Sequence, residues 1–176
     1  MSPRPYIDKT PENAMSAGET PPKRRPKRWR DRIAHLSFVL MRPMTLGVRG
    51  VALDTEGRVL LVKHSYTPGW HFPGGGVEAG ETCEHALIRE MVEEACVEIE
   101  PPLQLHGLFH NIHVSSRDHV AVYVARRFRV TGEHKPDREI LAARFFPLDA
   151  LPDDTTRATR VRLAEILTGQ ALSPTW

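Results

Sequence analysis

Three carboxylates, Glu90, Glu93 and Glu94, fall within five residues and follow a segment that opens Gly74-Gly75-Gly76. On a helix, side chains three and four apart lie roughly 5–6 Å from each other at Cβ, so all three fall on one face, where like charges repel by about 0.2–0.5 kcal/mol per pair. Such a face calls for a cation. Hard divalent ions take oxygen ligands, and Mg²⁺ keeps some of its waters, accepts one or two carboxylates and is completed by substrate phosphate. The competing account is a merely solvated acidic face. That face would interleave Lys with Glu and would need no run of glycines before it, whereas Arg89 is the one cation beside these three.

From Gly75 to Val97 the chain resembles the signature of the Nudix hydrolases. Gly75, Glu81, Arg89, Glu90, Met91, Glu93, Glu94 and Val97 occupy specified positions at the signature's spacing, and Cys96 stands where the family has glycine. The preceding run Trp70-His71-Phe72-Pro73-Gly74-Gly75 is similar too. Over about residues 45–170 the resemblance implies an α/β fold, an α/β/α sandwich around a mixed β-sheet. It also implies Mg²⁺-dependent hydrolysis, with Mn²⁺ as the alternative ion, of the phosphoanhydride bond in a nucleoside diphosphate linked to another moiety.

The same resemblance assigns roles. Glu90 and Glu94 would ligate metal, Glu93 would ligate metal or position the attacking water, and the Gly74 carbonyl would add a ligand. Arg89 would orient the cluster by pairing with Glu81, where a guanidinium fits a carboxylate better than an ammonium does. The proton acceptor stays open between Glu93, Glu90 and a carboxylate outside the segment. A further metal ligand is expected from a later loop, and Glu139, six residues before Phe145, is the choice over Asp137 and Glu133. A solvent-exposed loop glutamate is its alternative. Chemically, pyrophosphate hydrolysis needs a nucleophilic water and neutralisation of crowded phosphate charge, both of which a bound divalent ion supplies.

Other chemistry-bearing residues are less decisive. Trp70, Phe72 and Tyr66 can stack on a nucleobase or belong to the core. His106, His110 and His113 sit on one expected strand, where alternation lets at most His106 and His110 share a face; no Cys or carboxylate stands at zinc-ligand spacing beside them. His-Glu-x-x-His, Gly-x-Ser-x-Gly and Gly-Lys-Ser/Thr motifs are missing. The downstream proline, tyrosine or proline-rich marks of particular Nudix substrate groups are missing as well: that region holds Ile112 and Val114.

These groups need a frame. Gly47–Leu53 reads as a strand, Asp54-Thr55-Glu56-Gly57 as a hairpin turn with Gly57 left-handed, and Arg58–His64 as the returning strand. A helix is expected over Thr82–Glu94, with Leu87, Ile88, Met91, Val92 and Ala95 as its packing stripe. Strands are expected near Leu103–His113, His119–Val130 and Ala142–Pro147, and a helix over Thr155–Leu167 ending at Gly169. After the first helix, glycine would enter the left-handed conformation freely; Cys96 is expected to shift the backbone to an ordinary conformation instead.

Residues 1–44 form a separate region, a basic and proline-rich arm plus a short apolar segment from Trp29 to Leu40, ahead of a catalytic domain at 45–176. Residues 1–45 carry 10 Lys/Arg against 4 Asp/Glu, while the whole chain has a net charge of only +2, so the body is acidic. Residues 1–27 have the composition of a disordered, solubilising tail, with nucleic-acid or anionic-membrane contact as the alternative; Trp29–Leu40 reads as a short helix expected to dock on the domain, with a membrane surface or a partner as its alternatives. No apolar run reaches a membrane span and no secretory signal pattern opens the chain, so a cytoplasmic protein is expected. Cys83 and Cys96 flank the helix about 20 Å apart, too far for a disulfide. The rival to the enzyme reading is a catalytically silent module of the same fold that binds a nucleotide or RNA and is tethered by its basic arm.

Overall fold

The structure, a computed structural model, describes residues 44–176; the arm and the Trp29–Leu40 segment lie outside them. In chain order the elements are β1 (Thr45–Ala52), β2 (Arg58–His64), β3 (Trp70–His71), α1 (Cys83–Ala95), β4 (Val97–Ile99), β5 (Gln104–His110), β6 (Asp118–Ala125), β7 (Phe128–Val130), β8 (Ile140–Pro147) and α2 (Arg157–Thr168). Three small sheets form, in the orders β1-β6-β5, β3-β2-β8 and β4-β7. The β1-β6 pair is parallel and the others are antiparallel, so the sheet system is mixed.

Strands β1, β2 and β6 are apolar on both faces, and for that reason both faces are covered. Val48, Ala52, Leu60, Val62, Ala121 and Ala125 pack with Leu87 and Met91 of α1. The alternate residues Val51, Val59, Leu61, Val120, Val122 and Val124 pack with Phe109 and with Leu163 of α2. Two helices on opposite faces make the α/β/α sandwich. At Gly50 an added Cβ would stand 2.9 Å from a Leu87 methyl and 3.0 Å from the Met91 sulfur. That close approach seats α1 directly on β1.

Both helices are capped as their sequences dictate. Thr82 and Thr156 accept the amides of His85 and Thr159, and Gly169 ends α2 with a left-handed φ of 69°.

Four expectations are corrected. Gly57 is left-handed, but the strands it joins share only an isolated bridge, Leu53 to Val59; they then diverge, β1 pairing with β6 and β2 with β8. The expected strand His119–Val130 is two, because β6 ends at Ala125 and β7 pairs instead with β4, a three-residue strand too short for alternation to reveal. Val92 is exposed, and Ala86 takes its place in the buried stripe. Cys96 takes the left-handed geometry that glycine would adopt freely, with φ 53° and ψ 40°, and the turn directs its carbonyl to the amide and hydroxyl of Thr131.

Candidate functional site

The loop between β3 and α1 is tied to β1. The Val48 amide donates to the Gly75 carbonyl and the Gly50 amide to the Pro73 carbonyl, both at 2.9 Å, and the Val77 amide donates to the Leu46 carbonyl at 2.8 Å. This stitching requires Gly74 and Gly75. Gly74 has φ 135°, and a Cβ there would lie 2.2 Å from the Val48 carbonyl oxygen; at Gly75 a Cβ would lie 2.3 Å from Glu90 Oε1. The glycines let a helix that carries carboxylates close down on a loop of backbone.

The carboxylates do not share one environment. One residue step on a helix turns about 100°, so Glu93 cannot face where both Glu90 and Glu94 face. Glu94 is buried, at 5% exposure, and its Oε2 accepts the Gly74 amide at 2.7 Å. Glu90 is mostly covered, and both it and Glu94 line a cleft of about 400 Å³ with Gly74, Gly75, Gly76 and Glu139. Glu93 lies on the exposed flank, its side chain 59% accessible. Arg89 stands between them. It donates from Nε and Nη2 to the two oxygens of Glu81, both at 3.2 Å, from Nη1 to Glu90 at 2.7 Å and Glu93 at 3.2 Å, and from Nη2 to the Gly76 carbonyl at 3.3 Å. Hydrogen bonds to Glu81 first and Glu90 next hold this guanidinium above its ordinary range.

Burial dominates the electrostatics. It pushes the Glu94 carboxyl from the ordinary 4.5 up to about 7; the Gly74 amide and Arg49 pull it back, and Glu90 and Glu139 push it further up. His64, with its Nε2 3.7 Å from Glu94 Oε1, is buried too, and burial first, then Arg49 and His71, lowers it from 6.5 to about 4. At neutral pH His64 is neutral and Glu94 is poised between forms. Among the described residues no three His, Cys, Asp or Glu side chains yet converge on one point; Arg89 draws Glu90 and Glu93 to itself. The donors facing the cleft are all oxygen and predominantly carboxylate, which suits Mg²⁺ or Mn²⁺ and offers nothing to a soft ion.

Several cleft residues carried no mark in the sequence reading. Arg49, on β1, lines the cleft, and among the described residues its guanidinium donates only to its neighbour's carbonyl, at 3.4 Å. A lone arginine inside a strand whose neighbours are buried was the available signal. His64, Asn111 and Asp118 were not legible, since polar residues near strand ends are common. Tyr66 is exposed at the rim, its hydroxyl donating to Glu139 at 3.3 Å. Trp70 and Phe72 are core residues, with Trp70 edge-on to Phe146. The histidines do not gather: an irregularity between Leu105 and Gly107 turns His106 to Glu165, while His110 stacks on His119. A second cavity of about 340 Å³ lies beside α2. Its buried Arg162 is neutralised by Glu165 at 2.8 Å and donates to the Thr175 carbonyl at 3.1 Å, which fastens residues 173–176 and leaves the carboxylate cluster to the first cleft.

Comparison with known proteins adds an independent line. The family model described as the NUDIX domain matches residues 43–165. An "ADP-ribose pyrophosphatase" of Methanocaldococcus jannaschii is 33% identical over 103 residues, covering 57% of this chain and 60% of the relative. A "MutT-like protein" of Streptomyces ambofaciens is 28% identical over 125 residues, covering 71% and 78%. Among solved structures, a MutT NUDIX hydrolase from Burkholderia pseudomallei superposes with a TM-score of 0.57 at 29% identity, over 69% of this chain and 97% of that one.

Proposed function

This chain belongs to the NUDIX domain family, and from that premise we propose that it is a divalent-metal-dependent pyrophosphohydrolase, splitting the phosphoanhydride of a nucleoside diphosphate that carries a further group. One observation carries the proposal: a buried carboxylate, Glu94, faces a phosphate-sized cleft beside Glu90 and Glu139, with its pKa forced up to about 7 chiefly by burial. A fold does not maintain that arrangement for stability, because an uncompensated buried charge is costly.

In this proposal Glu90, Glu94, Glu139 and the Gly74 carbonyl hold Mg²⁺ or Mn²⁺. The ion, when bound, supplies charge neutralisation for the diphosphate and acidifies the attacking water. The chain's own residues do the rest. Arg49 takes phosphate oxygens with a guanidinium that no carboxylate among the described residues binds. Arg89, fixed at both oxygens of Glu81, keeps the helix carboxylates from splaying before a cation arrives. Glu93, exposed and within reach of solvent, is the candidate to position the water or take its proton. His64 is neutral and buried behind Glu94, limiting solvent access on that side.

The experiment is a panel of nucleoside diphosphate derivatives incubated with the full chain and Mg²⁺, with and without chelator. Hydrolysis that chelation abolishes and that Glu94→Gln and Glu93→Gln each lower by at least 100-fold supports the proposal. Tight nucleotide or RNA binding without turnover would establish the silent module instead.

A further inference from the structure

The cleft has a second end, chemically unlike the first. Asp118 lies there, together with Asn111, Thr45 and Val114. It opens β6 and is the register partner of Thr45 at the start of β1. The glycine loop crosses β1 three residues further on, at Val48, so the two ends stand about 10 Å apart at about 3.3 Å per residue. That is enough to seat a diphosphate and begin the next group.

The Asp118 carboxylate is oriented from two sides. The Thr45 hydroxyl donates to Oδ1 at 2.5 Å and the Asn111 amide nitrogen to Oδ2 at 2.7 Å. Both partners are neutral, so they fix the carboxylate without cancelling its charge. An ionised carboxylate has about four lone-pair sites, and two remain for a ligand. Asn111 is itself buried, at 7% exposure, and its backbone is pinned because its amide donates to the Asp118 carbonyl at 2.8 Å. The apolar Val114 borders the same space. An anionic oxygen brought here would meet like charge, whereas a pair of O–H or N–H donors would find two acceptors already aimed.

We propose that Asp118, held by Thr45 and Asn111, determines specificity: it selects substrates whose group about 10 Å from the metal-binding end presents paired neutral hydrogen-bond donors, and it disfavours substrates that continue there as a phosphate chain. The proposal rests on the hydrolase assignment above. Two groups offer that chemistry, the vicinal diol of a sugar and the N1–H and N2–H edge of guanine.

The test is steady-state kinetics of the full chain with Mg²⁺ on ADP-ribose, GTP, ATP and diadenosine tetraphosphate. The expected result is a kcat/KM for ADP-ribose or GTP at least tenfold above that for diadenosine tetraphosphate. ADP-ribose leading identifies the sugar diol, and GTP leading ATP by tenfold identifies the guanine edge. Asp118→Asn should raise KM for the preferred substrate at least tenfold with kcat within about twofold, and should erase the selectivity, a split that a merely structural loss would not produce. If that variant does not fold, the wild-type ranking alone decides. Equal or better turnover of diadenosine tetraphosphate overturns the specificity proposal and leaves the hydrolase assignment standing; so does a fall in kcat at unchanged KM for Asp118→Asn. No chelator-sensitive hydrolysis of any of the four overturns both.

Discussion

Replacing Glu94 by Gln should stabilise the metal-free protein at alkaline pH while removing its activity. The carboxyl rises from 4.5 to about 7 on folding, chiefly through burial. At about 1.4 kcal/mol per tenfold change, holding it ionised above pH 7 costs the native state about 3 kcal/mol. The sign follows from proton counting. Between pH 4.5 and about 7 the native state binds the Glu94 proton that the unfolded state has released, so metal-free stability falls as pH rises through that window and stays low above it. Gln is neutral throughout and still offers an oxygen to the Gly74 amide, and the charge-assisted part of that bond is already contained in the value of about 7. Glu94→Gln should therefore exceed wild type by about 2–3 kcal/mol at pH 8 in chelator, and the gap should close towards pH 5. His64, whose lowered pKa destabilises the native state as pH falls from 6.5 to about 4, is present in both proteins and drops out of the difference. Urea denaturation at both pH values measures it. Adding Mg²⁺ should raise the wild-type midpoint and leave the variant unchanged. A variant less stable than wild type at pH 8 in chelator, or a gap that ignores pH, would refute the claim that Glu94 is a charge buried for function.

Three further outcomes are expected. Gly75→Ala places a Cβ 2.3 Å from the movable end of Glu90 and should lower turnover at least tenfold at a cost in stability within about 1 kcal/mol, whereas Gly74→Ala strikes the fixed Val48 carbonyl and should cost more than about 2 kcal/mol; turnover and urea midpoints of the two variants check this. Cys96→Gly should raise stability by up to about 1 kcal/mol, the left-handed strain of about 1–2 kcal/mol less the entropy that glycine brings to the unfolded chain, with turnover retained; an unchanged or lower midpoint would show that the thiol's packing outweighs the strain. Arg49→Lys should lower kcat/KM roughly tenfold or more without a change in midpoint, because an ammonium cannot present two parallel donors to phosphate; wild-type kinetics would remove Arg49 from phosphate binding.

The helix, its capping threonine and the glycine loop were legible because each rests on local rules that act within a few residues. A β-hydroxyl at Thr82 caps, glycines at 74–76 admit close backbone, and Leu87 and Met91 mark a buried face. What was not legible depends on partners distant in sequence. The Asp54–Gly57 turn announces a hairpin, but whether β1 pairs with β2 or with β6 is decided by which apolar faces α1 and α2 cover, and the two strands part after one bridge. Cys96 was misjudged for a related reason. The cost of a left-handed cysteine is about 1–2 kcal/mol, small beside the alternative of unstitching the turn: the Cys96 carbonyl also accepts the amide and hydroxyl of Thr131, at 2.9 and 3.0 Å, and so joins α1 to the β4-β7 ribbon.

The site divides along the same line. Spacing located the carboxylates but treated them as equivalent, because helical periodicity gives direction and says nothing of depth. Depth comes from the packing of α1 on Gly50 and on the glycine loop. It makes Glu94 a buried group titrating near 7 and leaves Glu93, its neighbour in sequence, in solvent. Two glutamates adjacent in the chain are thereby given different environments, one buried with its carboxyl pushed up to about 7, the other open to water. Arg49 and Asp118 complete the division from β1 and β6, elements whose apolar residues pack in the core. Each sits at a place where a strand needed for packing passes the cleft, and a polar residue is tolerated there only because the helix and loop leave the cleft open. The parallel β1-β6 pairing that sequence could not foresee is therefore what brings the Arg49 guanidinium and the Asp118 carboxylate to the lining of one cleft.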